Sequence, residues 1–369
     1  MKVEVEKNAM VAAVRTVIRS VASNSPIPAM TGILLQVNGQ KMKLTGYNGS
    51  MAMQSTVEVI GDEDGDIVLD ARLLMNIVSS LDGNSICIKT KDATALISCG
   101  DAHFSVSYIA GSDFPELPEI TEANTVSVPQ KALKAMTEET LFATTENEAK
   151  PMCMGPQVEI RDSMMSFVTT DGYRVAIRKE SIESTGVELK FNIPSDAIAE
   201  VAKLCGTGDT VDIAVNSTHV MFSVGDFVVI TRQLSGEFLN YNAALPRVAD
   251  AVHTYSGNAK ALLDAIARVS IVTTPTIKRP MMCDFGDNVL KISCESSLGA
   301  SKDSVKLEGS CGGDAFKIAF NPRFLADAIK FEPDDEVKIL MYDPAKPVLI
   351  VPTDGSDRFK YAVLPVRIH

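Results

Sequence analysis

The sequence lacks the features that would place the protein in a membrane or outside the cell. No apolar run approaches the roughly 18 residues that a membrane-spanning helix requires. The first ten residues, MKVEVEKNAM, carry charges where a secretory signal peptide needs its apolar region. We therefore expect a soluble, cytoplasmic protein with no membrane partner.

Metal and catalytic signatures are also scarce. The seven cysteines include no CxxC pair, and the four histidines are scattered along the chain. This spacing indicates neither a disulfide framework nor a zinc site. The stretch GTGD (206–209) follows a predicted helix and precedes a strand, which is the reverse of a phosphate-binding loop. The sequence therefore indicates no catalytic residue, no metal site and no cofactor.

Positive charge is in the minority, because 35 Lys and Arg face 47 Asp and Glu. Overall acidity argues against a nucleic-acid partner, but binding depends on where the basic groups lie. The acids concentrate in predicted turns such as GDEDGD (61–66), whereas the first predicted helix holds Lys7, Arg15 and Arg19 and no acid. If all helices share one side, that side is mildly basic and suits contact with phosphates. Ordinary solvated helix faces are the alternative.

What the chain does contain is an internal repeat with a period of about 125 residues. Each copy begins with a strand and a helix, continues with alternating strands around a polar turn, and ends with a strand, a helix and a hairpin. The polar turns fall at Asn38-Gly39, Arg161-Asp162 and Gly286-Asp287. Since two helices can cover only one face of a sheet, we expect an α+β fold of three tandem similar two-layer domains.

Polar segments that contain proline separate the three copies. They are DFPELPEITEAN (113–124) and NAALPRVAD (242–250). They predict domains at residues 1–123, 124–247 and 248–369. Three equal domains in a row can form an arc, and a second copy can close that arc into a ring.

Several motifs accompany the repeat. They are FPELP (114–118), TTDGYRVA (169–176), AFNPRFL (319–325) and the C-terminal YAVLPVRI (361–368). In this order and spacing, the chain resembles the bacterial sliding clamps, the β subunits of DNA polymerase III, over essentially its whole length. The resemblance implies a homodimeric ring with helices on the inner face and antiparallel sheets outside, through which duplex DNA passes without sequence recognition. It also implies a processivity factor, an accessory subunit of a DNA-directed DNA polymerase with no catalysis of its own.

The resemblance further implies a hydrophobic pocket between domains 2 and 3. Replicative DNA polymerase, clamp loader and repair or recombination proteins would bind there through short linear peptides. Carried over by position, the pocket residues are Cys153, Thr170, Gly172, Tyr173, Arg174, Val175, Leu239, Ala243, Ala244, Asn321, Phe324, Pro347, Ala362, Val363, Leu364, Pro365, Val366 and Arg367. Pro365 would stop the tail from continuing as a paired strand and leave apolar side chains free to line a groove.

Without the resemblance, the same residues have plainer interpretations. TTDGYR reads as an Asp-Gly turn between strands, and the tail reads as a core strand. Within the family pattern, Cys153 stands where leucine is familiar and Ala243 where arginine is, so the smaller residues indicate a wider pocket on one side. Tyr173 and Leu239 also depart from the familiar residues.

DNA and dimer contacts are likewise implied by position. The DNA-facing residues would be Asn24, Arg72, Lys150, Lys278 and Arg279, with Asn24 standing where arginine is frequent. The dimer contact would be head-to-tail, and its residues would be Phe104 and Val106 of one copy against Ile271 and Val272 of the other.

Two other functions stay open on sequence alone. An enzyme has little support, because Asp171 and Asp209 are predicted turn residues without a visible base or metal partner. A protein-binding scaffold that never contacts DNA would share the threefold repeat. A closed dimer with an open centre would distinguish a clamp from such a scaffold.

Overall fold

The computed structural model describes residues 1–121, 123–183, 186–206, 208, 210–273, 279–311, 316–330 and 335–367. It contains two compact units: unit 1 comprises Met1–Gln130 and Lys203–Gln233, and unit 2 comprises Lys131–Ala202 and Leu234–His369. The middle repeat contributes to both units, so the domain limits drawn from the sequence stay a prediction. In the described part of the chain, no helix combines the length and apolar character needed to cross a bilayer.

Each repeat follows one order of elements: strand, helix, four strands, helix, three strands. Repeat one consists of β1 (Lys2–Glu6), α1 (Lys7–Val17), β2 (Gly32–Asn38), β3 (Lys41–Tyr47), β4 (Met51–Glu63), β5 (Gly65–Asp70), α2 (Ala71–Ser80), β6 (Ser85–Lys91), β7 (Thr94–Cys99) and β8 (Ala102–Ser107), followed by the short β9 (Ile109–Ala110). Repeat two consists of β10 (Asn124–Pro129), α3 (Gln130–Thr140), β11 (Gln157–Arg161), β12 (Met164–Thr170), β13 (Arg174–Ser181), β14 (Leu189–Asn192), α4 (Ser195–Leu204), β15 (Thr210–Val215), β16 (His219–Val224) and β17 (Phe227–Arg232).

The third repeat has the same order with one small addition. A short helix, α5 (Tyr241–Ala244), precedes it. The repeat consists of β18 (His253–Asn258), α6 (Ala259–Ser270), β19 (Met281–Gly286), β20 (Val289–Ser296), β21 (Gly299–Lys306), the added β22 (Glu308–Gly309), β23 (Phe316–Phe320), α7 (Pro322–Lys330), β24 (Glu336–Met341), β25 (Val348–Val351) and β26 (Phe359–Val363). Helices and antiparallel sheets thus recur three times in tandem, which confirms the predicted fold class.

Local sequence explains where these elements begin and turn. The side chain of Asp70 accepts a hydrogen bond from the backbone N–H of Leu73 at 2.7 Å and caps α2, and Asn258 caps α6 in the same way. All three predicted polar turns are tight hairpin turns. Gly39, Asp162 and Asn288 adopt positive φ angles of 60°, 53° and 56° there.

One strand-pairing rule recurs within both units. We call β8, β17 and β26, the last full strands of the three repeats, the closing strands, and β4, β13 and β21 the receiving strands. In unit 1, β17 pairs antiparallel with β4 of repeat one. In unit 2, β26 pairs antiparallel with β13 of repeat two. A closing strand therefore joins the receiving strand of the preceding repeat.

The remaining closing and receiving strands, β8 and β21, lie at sheet ends. Unit 1 contains a 13-stranded sheet whose main path runs β10-β15-β16-β17-β4-β1-β6-β7-β8. Unit 2 contains a nine-stranded sheet, β14-β11-β12-β13-β26-β25-β24-β18-β22, and a four-stranded sheet, β21-β20-β19-β23. Among the described residues, the outer edges of β8 and β21 therefore have no paired strand.

Paired helices cover the sheets. In unit 1, α1 packs beside α2, and in unit 2, α6 packs beside α7. The core of repeat three joins Leu262 and Ile266 of α6 with Leu325 of α7 and with the fully buried rings of Phe320 and Tyr361. Burial of such side chains contributes roughly 1.5–3 kcal/mol each, and this term holds the helices onto the sheets.

Candidate functional site

A sharp turn between β12 and β13 carries the TDG-x-R motif. Gly172 has φ +91°, a left-handed conformation that favours glycine. The Asp171 carboxylate accepts hydrogen bonds from the backbone N–H groups of Tyr173 at 2.8 Å and Arg174 at 3.0 Å. The Asp-Gly turn expected from the residues is therefore present. Its effect is to hold the Tyr173 ring on the surface, 61% exposed.

Tyr173 belongs to a small apolar surface that we call the tyrosine patch, formed by Tyr173, Phe324 and Leu364. The rings of Tyr173 and Phe324 stack with centroids 6.0 Å apart. The backbone N–H of Leu364 donates a hydrogen bond to the carbonyl of Tyr173 at 2.9 Å. Asn321 begins the helix that carries Phe324, since its side chain accepts from the N–H of Arg323 at 3.0 Å. The motifs at 169–176, 319–325 and 361–368 therefore meet at one place.

Arg174 lies beneath this patch and is buried. Its guanidinium forms ion pairs with Asp171 at 3.0 Å and with Asp327 at 2.6 Å. It also lies 4.5 Å from the centroid of the Phe324 ring and 5.4 Å from that of Phe142. Such a charge-assisted and stacked arrangement fixes Phe324 in position. Arg174 thus supports the patch from below.

Sequence reasoning missed Asp327. Its partner Arg174 lies 153 residues earlier in the chain. Its position three residues after Phe324 on an amphipathic helix could have identified it, because residues at that spacing share a helix face.

The C-terminal tail leaves the sheet where the sequence predicted. Strand β26 ends at Val363, and Pro365 has no N–H for a ladder bond. Ala362 and Val363 are buried in the sheet, whereas Leu364 and Val366 are more than a third exposed and Arg367 is exposed. The N–H of Val366 still donates to the carbonyl of Ala319 at 2.8 Å. The segment is therefore a core strand up to Val363 and a tethered surface tail after it.

A second part of the site lies around α5. Val175 of β13 and Ala362 of β26 are cross-strand partners. They form an apolar cluster against which Tyr241 and Leu245 of the α5 segment pack. Asn240 caps this short helix, and Leu239, just before it, is 49% exposed. The predicted residues Val175 and Ala362 therefore form a floor under the α5 segment.

The α5 segment borders a groove of about 650 Å³, which we call the α5 groove. Three predicted pocket residues line it: Ala243, Ala244 and Pro347. The other lining residues were missed: Leu245, Pro246, Asp250, Val252, Tyr342, Asp343, Pro344 and Lys346. The sequence feature that could have identified them is the pair of proline-containing segments 242–250 and 343–347. Such segments favour turns, and turns can form the sides of a groove.

Cys153 and Thr170 are buried and support the turn from inside. The Thr170 hydroxyl donates to the carbonyl of Arg174 at 2.8 Å and accepts from the N–H of Gly172 at 3.1 Å. Burial raises the pKa of the Cys153 thiol, so this cysteine stays protonated and unreactive near neutral pH. Thr170 therefore fixes the turn through hydrogen bonds, whereas Cys153 contributes a buried, uncharged side chain.

The predicted DNA-facing residues are divided between the two units. Asn24 and Arg72 are exposed in unit 1, and Arg279 is exposed in unit 2. Lys150, also exposed, has its ammonium 3.2 Å from where a Cβ on Gly172 would lie, so it stands beside the tyrosine patch. Lys278 lies outside the described residues.

The predicted dimer residues are beside the open sheet edges. Phe104 and Val106 are half-buried on β8. Ile271 is 76% exposed after the end of α6, while Val272 packs partly against the core of repeat three. In the ranges that the structure describes, no group of three His, Cys, Asp or Glu side chains is arranged to hold a metal ion.

Three repeated modules of strand, helix, four strands, helix and three strands make up the DNA-clamp fold. Family models for the DNA polymerase III beta subunit match the chain in its three parts: the N-terminal domain at residues 1–118, the central domain at 127–240 and the C-terminal domain at 243–367. The chain therefore belongs to the DNA polymerase III beta subunit family, whose members are the sliding clamps of DNA replication.

Individual relatives agree with this assignment. A beta sliding clamp of Staphylococcus aureus is 25% identical over 380 residues, with 100% of both chains covered. The crystal structure of the DNA polymerase sliding clamp from Bacillus subtilis is 25% identical, with a TM-score of 0.93 and 100% of both chains covered. The beta subunit of Streptococcus pyogenes, at 22% identity over 100% of both chains and a TM-score of 0.94, supports the fold.

Proposed function

We propose that this chain is a processivity factor of DNA replication that closes with a second copy into a ring around duplex DNA. Partner proteins bind it through short peptides at the tyrosine patch and the α5 groove. The observation that carries the ring is the pairing rule of the closing strands. β17 and β26 each pair with the receiving strand of the preceding repeat, whereas among the described residues no strand pairs with the outer edge of β8 or of β21. A second copy can supply both missing partners.

The side chains near these edges suit such a contact. Phe104 and Val106 are half-buried on β8. On the other edge, the Ser301 hydroxyl of β21 donates to the carbonyl of Val269 at 2.6 Å, so the end of α6 lies against β21 and brings the exposed Ile271 beside it. Apolar groups flanking an open strand edge favour burial against another chain.

Contacts with DNA would be weak and independent of sequence. In unit 1, α1 and α2 contain no acid, and Arg15 and Arg72 are exposed on them. In repeat three, Arg268 of α6 is instead paired with Asp303 at 2.7 Å. A ring retains its duplex by topological linkage, so it needs few phosphate contacts, and few contacts allow sliding.

Partner binding is supported by an apolar site with a fixed shape. The tyrosine patch exposes aromatic and aliphatic side chains, and Arg174 holds the Phe324 ring from below. Replicative polymerase, clamp loader and repair proteins would each insert a short apolar peptide there, as helical or extended peptides do in apolar grooves. In this proposal the chain works in the cytoplasm, needs no cofactor and leaves nucleotidyl transfer to the polymerase.

The experiment that tests the ring uses the full-length protein. Small-angle scattering and negative-stain microscopy should show a dimer with an open centre wide enough for duplex DNA. Protein loaded by the cognate clamp loader onto nicked circular DNA should remain bound through high salt and should leave after the circle is cut. A monomer, or retention that does not depend on circular DNA, would favour the scaffold and overturn the ring.

A further inference from the structure

The α5 groove extends beyond the residues that the family resemblance assigns to partner binding. Ala243, Ala244 and Pro347 line one part of it, but most of the lining comes from residues 245–252 and 342–346. We call Asp250, Val252 and Asp343 the distal subsite.

The distal subsite is preformed and exposes apolar surface. The backbone N–H of Val252 donates to the carbonyl of Met341 at 2.8 Å, and the hydroxyl of Tyr342 donates to the carbonyl of Arg247 at 3.0 Å. These bonds hold the two walls together. Val252 nevertheless stays 67% exposed, and Val248 close by is 46% exposed. A rigid wall with exposed aliphatic side chains favours an apolar ligand group.

The charges of the groove are unbalanced. Two carboxylates, Asp250 and Asp343, and one ammonium, Lys346, line it. Within the described residues, none of the three has an ion-pair partner within 4.0 Å. One oxygen of Asp343 accepts from the N–H of Ala345 at 2.8 Å, which orients the carboxylate. Burial raises the pKa of Tyr342 to about 12, and the negative charge of Asp250 adds to this rise.

We propose that the distal subsite binds a segment that flanks the core of a partner peptide, with an apolar side chain packed on Val252 and a basic side chain facing Asp250 and Asp343. This proposal rests on the proposed function of Ala243 and Ala244, which line the same groove as the distal subsite. Two carboxylates against one ammonium favour a cation and disfavour an acidic flank. The subsite thereby distinguishes among partners that share the same core segment.

The test measures fluorescence anisotropy of labelled peptides on the full-length protein. The core peptide comes from the cognate replicative polymerase. Extended forms carry Val-Lys-Lys or Val-Glu-Glu at either end. With the unaltered protein, we expect a basic flank at one of the two ends to bind about tenfold tighter than the acidic flank at low salt, and the difference to shrink as salt is added.

Substitutions in the groove test whether the preference for a basic flank arises at the distal subsite. Asp250→Asn with Asp343→Asn should remove the difference between flanks and leave the affinity for the core peptide unchanged, since the asparagine at 343 keeps the turn bond. Lys346→Glu should enlarge the difference. Asp354→Asn is the matched control, because Asp354 accepts from the N–H of Ser356 at 2.8 Å in a similar exposed turn. It should retain the full preference.

The outcomes separate the two proposals. Equal affinity for basic and acidic flanks at both ends, or a preference that survives in the doubly substituted variant, overturns the distal subsite while leaving the partner site intact. A core peptide that does not bind at all overturns the partner site itself, and the distal subsite with it. Circular dichroism of each variant establishes that it is folded.

Discussion

The closing strands β26 and β8 occupy the same place in their repeats but have opposite surroundings. β26 lies between β13 and β25, and its side chains Tyr361 and Val363 are completely buried. β8 has β7 on one side and, in the described part of unit 1, no strand on the other. The comparison shows that each repeat ends in a strand whose outer edge stays open unless another strand pairs with it. Position along the chain decides whether that edge is covered by a strand of the same chain.

The largest expected effect is a difference in stability between a substitution on β26 and one on β8. Val363→Asp places an unpaired charge in the middle of a sheet, and we expect the free energy of unfolding to fall by about 4 kcal/mol. At protein concentrations low enough to keep the protein monomeric, Phe104→Asp on β8 should change it by less than about 1 kcal/mol, because Phe104 is only half-buried in the single chain. Chemical denaturation of both variants measures this. Equal destabilisation would remove the distinction between the strands.

The open edge should next be tested through self-association. Ile271→Asp adds a charge to each of two identical interfaces, and a loss of about 1.4 kcal/mol at each would weaken dimerisation about 100-fold. Analytical ultracentrifugation should show folded monomers, and the protein should no longer stay on circular DNA. Ile60→Asp is the matched control, because Ile60 is 74% exposed on β4 and should leave the dimer unchanged. Undiminished dimerisation of the Ile271 variant would contradict the proposed interface.

The covered strand β26 differs from β8 in a second way, since a tail continues from it into the proposed partner site. Deletion of residues 364–369 removes Leu364 from the tyrosine patch and should lower peptide affinity more than about 100-fold, with the dimer intact. Deletion of 368–369 alone is the control and should retain binding. Anisotropy titration and sedimentation provide the two measurements. Unchanged peptide affinity after the longer deletion would refute the site.

The smallest expected effect is on peptide affinity when the ion pair between Arg174 and Asp327 is removed. Asp327→Asn removes one ion pair of Arg174, and we expect about tenfold weaker peptide binding because Phe324 is less firmly held. Asp327→Glu, which keeps the charge, should restore part of the affinity. Asp264→Asn, at an exposed position on α6, should have no effect. Equal binding by the asparagine and glutamate variants of Asp327 would show that the ion pair does not position the patch.

Local sequence was enough to predict the threefold order of elements, the polar turns at Asn38-Gly39, Arg161-Asp162 and Gly286-Asp287, and the end of β26 before Pro365. These features depend on neighbouring residues: alternation of apolar side chains, residues that tolerate positive φ, and a proline without an N–H. The same reasoning, joined to the family resemblance, named residues that do meet at the tyrosine patch.

The rest was decided by packing between distant segments. Arg174 was predicted to line the pocket, yet Asp327, 153 residues away, holds it buried below the surface. The acidic end of the α5 groove exists because residues 245–252 run beside residues 342–346. Which strand edges stay open also depends on the whole sheet. Neighbouring residues determine local conformation, but ion pairs, groove walls and free edges arise only where the folded chain brings remote segments together.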